Sequence, residues 1–216
     1  MKKIASPLFQ DLSEAELDTL AAAGHLRTRQ FAKHEVIFRA GSCVREIGIV
    51  LRGSVHIENL DLWGTKSILS SAGAGQAFAE TYAFCGEALM VDAVAAEHCE
   101  ILFLHTAAFT DARIEPALQD KLLRRLLAVS MRKNLSLSQR IFCTTPKTVR
   151  GRLLTYFSAQ AARCGRMEFE VPFNRQQMAD YLNLDRSALS KELCKMRDEG
   201  LLTFEKNRFA LNELPE

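Results

Sequence analysis

The chain has 216 residues, of which 48% are hydrophobic and 25% charged, and its formal net charge is +2. Those proportions belong to an ordinary globular protein, and no apolar run reaches the roughly 18 residues that a membrane span requires. The charge is unevenly spread. Residues 1–111 hold 9 Lys/Arg against 14 Asp/Glu (−5), residues 112–144 hold 7 against 2 (+5), and residues 145–216 hold 12 against 10 (+2). An acidic front half joined to a basic rear half fits a sensor attached to a nucleic-acid-binding unit.

The N-terminus, Met1-Lys2-Lys3-Ile4-Ala5-Ser6-Pro7, lacks the long apolar core of a signal peptide, so the expected compartment is the cytoplasm. Six cysteines (Cys43, Cys85, Cys99, Cys143, Cys164 and Cys194) are scattered with no CxxC pair. That spacing argues against a local sulfur-ligated metal or cluster and for reduced, partly buried thiols. Residues 12–23 read as a short amphipathic helix, with Ser13 and Glu16 as a capping box and Gly24 as its stop.

From Leu26 to about Leu104 the apolar period changes to two. The strand candidates are His34–Phe38, Ile47–Leu51, Ser54–Glu58, Thr65–Leu69 and Glu100–Leu104, and Gly41, Gly53, Gly64 and Gly75 punctuate them at intervals near 11 residues. Short, evenly spaced strands with glycine turns indicate a β-barrel or jelly roll, which is a pocket-forming architecture. After Phe109 the pattern becomes helical, from about Glu115 to Ile141. Leu118, Leu122, Leu126 and Val129 line one stripe, and Leu123, Leu127 and Met131 line an adjacent one. A helix apolar on two sides needs partners on both. One side can cover the β-roll, and the other suits a second copy in a coiled-coil dimer; an ordinary helix packed wholly within its own chain is the alternative. Thr145-Pro146 reads as the N-cap and first residue of a further helix through Val149, Leu153, Leu154 and Phe157.

Residues 172–209 hold the sharpest pattern. Asn174 is a natural N-cap for a first helix whose inner face is Met178, Ala179 and Leu182. Asn183 falls where a tight turn needs a left-handed residue. Asp185 caps a second helix with a Leu189, Leu193 and Met196 stripe, and Gly200 ends it. A hairpin follows, Leu201–Phe204 and Arg208–Leu211 around Glu205-Lys206-Asn207. Two helices and a hairpin also occur in domains that never touch nucleic acid; the full set of caps, turn and hairpin in about forty residues favours a DNA-binding winged helix–turn–helix. Arg186, Ser187, Ser190 and Lys191 are the candidates to reach base edges and phosphates, with Arg186 the one to read a guanine. Asn174, Arg175 and Gln176 are expected on backbone phosphate, and Lys206 and Arg208 place cations on the wing.

The order of these parts resembles the Crp–Fnr family of bacterial transcription regulators over nearly the whole chain. The matching segments are Val36-Ile37-Phe38-Arg39-Ala40-Gly41, Ile49-Val50-Leu51-Arg52-Gly53-Ser54-Val55 and Gly75-Gln76-Ala77-Phe78-Ala79-Glu80-Thr81-Tyr82-Ala83-Phe84. The resemblance implies an α+β chain. Residues 1–111 would form a cyclic-nucleotide-binding-like sensor of double-stranded β-helix or jelly-roll type, 112–143 a dimerisation helix, and 144–216 a winged helix–turn–helix. It implies a homodimer on a palindromic double-stranded DNA operator, with RNA polymerase as a further partner, and no enzyme.

The same resemblance argues against cyclic AMP as effector. Family members hold its ribose through the glutamate aligned with Glu80 and clamp its phosphate with an Arg-Ser pair where this chain has Leu89-Met90-Val91. A Thr-Ser pair that the long helix supplies to the purine aligns with Leu137 and Ser138. An iron–sulfur cluster is not expected either, since no cysteine precedes Cys43. An apolar effector pocket lined by Phe78, Glu80, Phe84, Leu89 and Met90 is the expectation, for a hydrophobic or haem-like ligand, with a small anion bound elsewhere in the β-roll or an interior filled by side chains as the alternatives. His25, His34, His56, His98 and His105 are unranked axial candidates for haem in a nitric-oxide-sensing variant. A cupin-like metal enzyme is the competing reading of the β-roll, but its closest fragment, His56-Ile57-Glu58, has no second His at the required spacing. No catalytic triad or carboxylate pair stands out.

Overall fold

The computed structural model describes residues 4–60 and 66–212. Its contacts divide the chain into two compact units, Met1–Arg132 and Lys133–Glu216. Gly64 and Thr65, an expected turn and strand start, lie outside the described residues.

In the first unit, helix α1 (Glu14–Ala22) starts at the expected capping box: Ser13 accepts from the Glu16 amide while Glu16 accepts from the Ser13 amide. Two antiparallel four-stranded sheets follow. One orders β1 (Leu26–Phe31), β8 (Cys99–His105), β3 (Glu46–Arg52) and β6 (Ala77–Phe78). The other orders β2 (Val36–Phe38), β7 (Asp92–Ala95), β4 (Ser54–Leu60) and β5 (Lys66–Gly73). Side-chain alternation explains the two cores. Val50, Ile101 and Phe103 point inward with Phe31, Phe38, Val55 and Phe78, whereas Ile47, Ile49, Leu102 and Leu104 lie with Leu8, Leu17 and Leu20 in a second cluster. Because both faces of the β3–β8 sheet are covered, its sequence reads as a continuous apolar run.

Helix α2 (Glu80–Cys85) follows β6, and helix α3 (Pro116–Thr144) starts in this unit. Leu118, Leu122 and Leu126 enter the second cluster, while Leu123, Leu127 and Met131 stay about half exposed. Ahead of it, buried His25 places Nε2 2.7 Å from Asp111 Oδ2, and Arg113 binds the same carboxylate at 2.7 Å. Arg113 first, and His25 after it, hold that carboxyl well below the usual aspartate range.

The second unit holds the end of α3, then α4 (Val149–Cys164), β9 (Glu168–Glu170), α5 (Arg175–Leu182), α6 (Arg186–Asp198), β10 (Leu202–Glu205) and β11 (Arg208–Leu211). Leu153, Tyr156 and Phe157 of α4 pack with Met178, Leu182, Leu189, Leu193, Met196 and Phe209. Thr145-Pro146 does not open α4. Thr145 donates its backbone N–H (2.9 Å) and its hydroxyl (2.8 Å) to Ile141 O, so it closes α3 instead. Thr148 caps α4, accepting from the Gly151 amide at 3.0 Å. No helix among the described residues is long and apolar enough to cross a membrane.

The interior of the first unit is tight where β3 meets β6. A Cβ built on Gly48 would fall 2.2–2.7 Å from three ring atoms of Phe78, a ring that also packs on Phe38 at 5.8 Å between centroids. Gly48→Ala is therefore expected to cost about 1–3 kcal/mol by overpacking. In denaturant titrations Phe78→Leu should relieve most of that loss in the double variant; simple additivity would mean that the two positions do not meet.

Candidate functional site

Asn174 and Gln177 cap α5 reciprocally, each side chain accepting from the other's amide at 2.9 Å. Asn183 ends the helix in the left-handed region (φ 52°, ψ 53°), a conformation that asparagine adopts at lower cost than most residues. Asp185 then caps α6, accepting from the Ala188 amide at 2.9 Å and from the Ser187 hydroxyl at 2.5 Å. Those two donors, the hydroxyl first, hold the Asp185 carboxyl below its ordinary range. Leu189, Leu193 and Met196 are wholly buried, which fixes the rotation of α6 about its axis. The opposite face presents Arg186, Ser187 and Lys191 to solvent, with Ser190 partly covered.

Three arginines that the sequence pattern does not single out hold this arrangement. Arg152 donates to the carbonyls of Leu182 (3.1 Å) and Asn183 (2.7 Å). Arg140 donates to those of Asp180 (3.0 Å) and Tyr181 (3.1 Å). Both thus satisfy acceptors that a helix end leaves without partners. Arg150 ties α4 to α6 through Glu199 (2.8 Å) and Glu192 (2.6 Å), and those hydrogen bonds raise its pKa further. The signal that could have found them is weak, because α3 and α4 both carry other cations as well. By contrast, Arg186 and Lys191 have no hydrogen-bond or ionic partner among the described residues. They are charges available to a ligand.

The wing is a three-stranded sheet ordered β10–β11–β9. The third strand adds to the hairpin expected from the sequence, although the alternation in Met167-Glu168-Phe169-Glu170-Val171 signals it. Lys206 sits at the hairpin tip with a positive φ of 51°. Arg208 is exposed on the outer face, in register with Glu205 on one neighbouring strand and Glu170 on the other. Arg175, expected at a phosphate, lies over the wing hairpin. Its guanidinium carbon lies 4.9 Å from the Phe204 ring centroid and 5.0 Å from that of Phe209. Gln176 is exposed, with its amide on Asp180 at 2.9 Å.

In the β-roll the expected pocket residues separate. Phe78, Glu80 and Leu89 are buried; Phe84 is half exposed and packs edge-on against Phe109, and Met90 is 76% exposed. The Gly86–Val91 loop is pinned by Gly41 N to Leu89 O (2.7 Å) and Leu89 N to Ser42 O (3.0 Å), and the Leu89 side chain joins the inner core. That loop contains no cation and no hydroxyl, so it does not suit a cyclic phosphate. Of the histidines, His25 is committed to Asp111, and His105 Nδ1 accepts from the Ala107 amide at 3.0 Å. His56 lies 3.7 Å from Glu58, and among the described residues no three His, Cys, Asp or Glu side chains gather as a metal site would.

Comparison with known proteins places both units. A family model described as a cyclic nucleotide-binding domain matches residues 28–113, and one described as a Crp-like helix–turn–helix domain matches residues 151–216. The catabolite activator protein of Thermus thermophilus is 25% identical, with a TM-score of 0.50, over 97% of this chain and 95% of that one. FixK2 from Bradyrhizobium japonicum shares the fold at 18% identity and a TM-score of 0.51, over 87% of this chain and 93% of that one. So does a variant of CprK complexed with OCPA, at 13% identity and a TM-score of 0.63, over 94% of this chain and 91% of that one. Among curated proteins no match is found. With a cyclic-nucleotide-binding-type domain followed by a Crp-like helix–turn–helix, the two models together spanning most of its length, this chain belongs to the Crp–Fnr family of transcription regulators.

Proposed function

We propose that the protein acts as a homodimer on a palindromic operator, with residues 112–143 as the dimerisation helix. Pairing through residues 115–141 sets one Arg186–Lys191 segment from each copy into successive major grooves, about one helical turn apart. The observation that carries this reading is the pair of exposed, uncommitted cations, Arg186 and Lys191, on a helix whose other face is locked into the core. Arg186 reads a guanine through its planar fork of donors, and Ser190 and Lys191 adjust specificity or hold phosphate. Ser187 acts with Asp185, to which its hydroxyl is bonded. Asn174 and Gln176 at the start of α5 and Lys206 at the wing tip approach the backbone. Recruitment of RNA polymerase completes the role of a regulator.

Dimerisation is supported by Leu123, Leu127 and Met131, which are large apolar side chains left half exposed on α3. The effector is something other than cyclic AMP, because the Gly86–Val91 loop offers an anion no partner.

Arg186→Ala should weaken specific binding by about 1–3 kcal/mol and relax the preference at one base pair, whereas Lys191→Ala should weaken all sequences and lower the salt slope by about 1. Selection of bound duplexes from a random pool, followed by titration at several salt concentrations, measures both. An unchanged operator preference in Arg186→Ala would remove it from the reading role. Leu127→Asp should shift the monomer–dimer equilibrium at least about tenfold toward monomer in sedimentation equilibrium, since each copy loses a buried leucine worth roughly 1.5–3 kcal/mol. A dimer of unaltered strength would move the interface elsewhere.

A further inference from the structure

We infer that Arg175 is a positioning residue that pins the wing to the first helix of the helix–turn–helix, and not a phosphate ligand. Arg175 is the first residue of α5, directly after the Asn174 cap. Its side chain is half buried over the hairpin: the guanidinium carbon is 4.9 Å from the Phe204 ring centroid and 5.0 Å from that of Phe209. These rings face each other across β10 and β11, which pair Phe204 with Phe209 in register, and their centroids lie 5.8 Å apart. One guanidinium therefore touches both strands of the hairpin. Arg197, near the end of α6, approaches the Phe204 ring at 5.8 Å, so cations from α5 and α6 both meet that ring.

A phosphate ligand needs its donors accessible, and Arg175 withdraws one of them over the hairpin. Its Nη1 is buried and has no hydrogen-bond partner. Burial lowers its pKa, as expected for a cation withdrawn from water without a carboxylate in compensation. What attracts the charge is the negative π face of two phenyl rings, an interaction that strengthens when the site is dry. Arginine suits this place because its delocalised, weakly hydrated plane can lie along aromatic faces, whereas a lysine ammonium is compact and strongly hydrated. The wing turn is only Lys206 and Asn207, so the tip follows the strands that carry Phe204 and Phe209. Locking Phe204 and Phe209 under Arg175 holds that tip at a fixed distance from α5 and α6.

This role rests on the DNA-binding reading, yet it has a readout without DNA. In the full-length protein, amide exchange across residues 202–211 should accelerate about tenfold in both Arg175→Ala and Arg175→Lys, and equally in Phe204→Leu, which leaves the charge in place. On a duplex selected by the wild type, the three variants should bind about tenfold more weakly and keep the base preference that depends on Arg186. The combination of Arg175→Ala with Phe204→Leu should lose no more than either alone. A phosphate ligand behaves otherwise: Lys would rescue binding, Phe204→Leu would leave it unchanged, and hairpin exchange would not move. Any of those three results overturns the pin. Failure of the wild type to bind duplex DNA would overturn the regulator's proposed mode of action instead, with the exchange experiment still deciding the pin.

Discussion

The angle between α5 and α6 depends on a three-residue turn, and that turn is held by guanidinium groups from outside it. Asn183 supplies the left-handed backbone that lets the chain reverse. The carbonyls of the last turn of α5 then need donors, since a helix end leaves them without intrahelical partners. Arg152 from α4 and Arg140 from α3 provide four such hydrogen bonds between them, to Asp180, Tyr181, Leu182 and Asn183. Positive charge at a helix C-terminus is also favoured by the helix dipole. Arg150 adds an ionic tie from α4 to two glutamates of α6. Water could satisfy the same carbonyls, but it would not fix an angle.

This division of labour sorts the cations of the second unit. Arg140, Arg150 and Arg152 are spent on architecture, and Arg197 sits against Asp198 at 2.9 Å. Arg186 and Lys191 have no partner among the described residues and lie on the exposed face of α6. The unit's small positive balance is thus less informative than its distribution, because cations paired with carboxylates, as Arg150 and Arg197 are, contribute little to an approaching phosphate. The outer face of the wing sheet runs the other way, with Glu168, Glu170 and Glu205 around Arg208. That acidic surround disfavours a phosphate at the sheet face, and Lys206 stands apart from it at the hairpin tip.

Local chemistry explains which features were legible in the sequence. The caps Asn174 and Asp185, the left-handed Asn183 and the two buried stripes are set by neighbours within four residues, and the structure has all of them. Strands β3 and β8 were visible as apolar runs, and β4 as an alternating one, for the same reason. The arginine ties were not, because their acceptors lie 30 to 49 residues away in the chain. Arg175 is the instructive case. Its position at a helix start suggested a phosphate, but its side chain turned toward two rings that only the folded hairpin brings together. Thr145-Pro146 misled because the dipeptide carries a start signal while Thr145 was already bonded to Ile141. Phe84 and Met90 looked like pocket residues because an apolar side chain near a functional turn does not reveal which way it faces.

The β-roll narrows what its effector can be. Phe31, Phe38, Phe78 and Phe103 fill the space between the sheets, with centroid separations of 5.6 to 6.1 Å between successive rings. Gly48 is needed opposite Phe78 for that ring to seat at all. Leu89 joins that core from the Gly86–Val91 loop, which carries no cation to hold a buried anion. A charged ligand entering there would lose its hydration and gain no counter-charge, a cost of several kcal/mol. An apolar ligand faces a smaller obstacle: it must displace Leu89 or a phenyl ring, and each such side chain contributes about 1.5–3 kcal/mol of burial that the ligand's own apolar surface can replace. The physical chemistry of this interior therefore opposes an uncompensated anion more strongly than it opposes an apolar group.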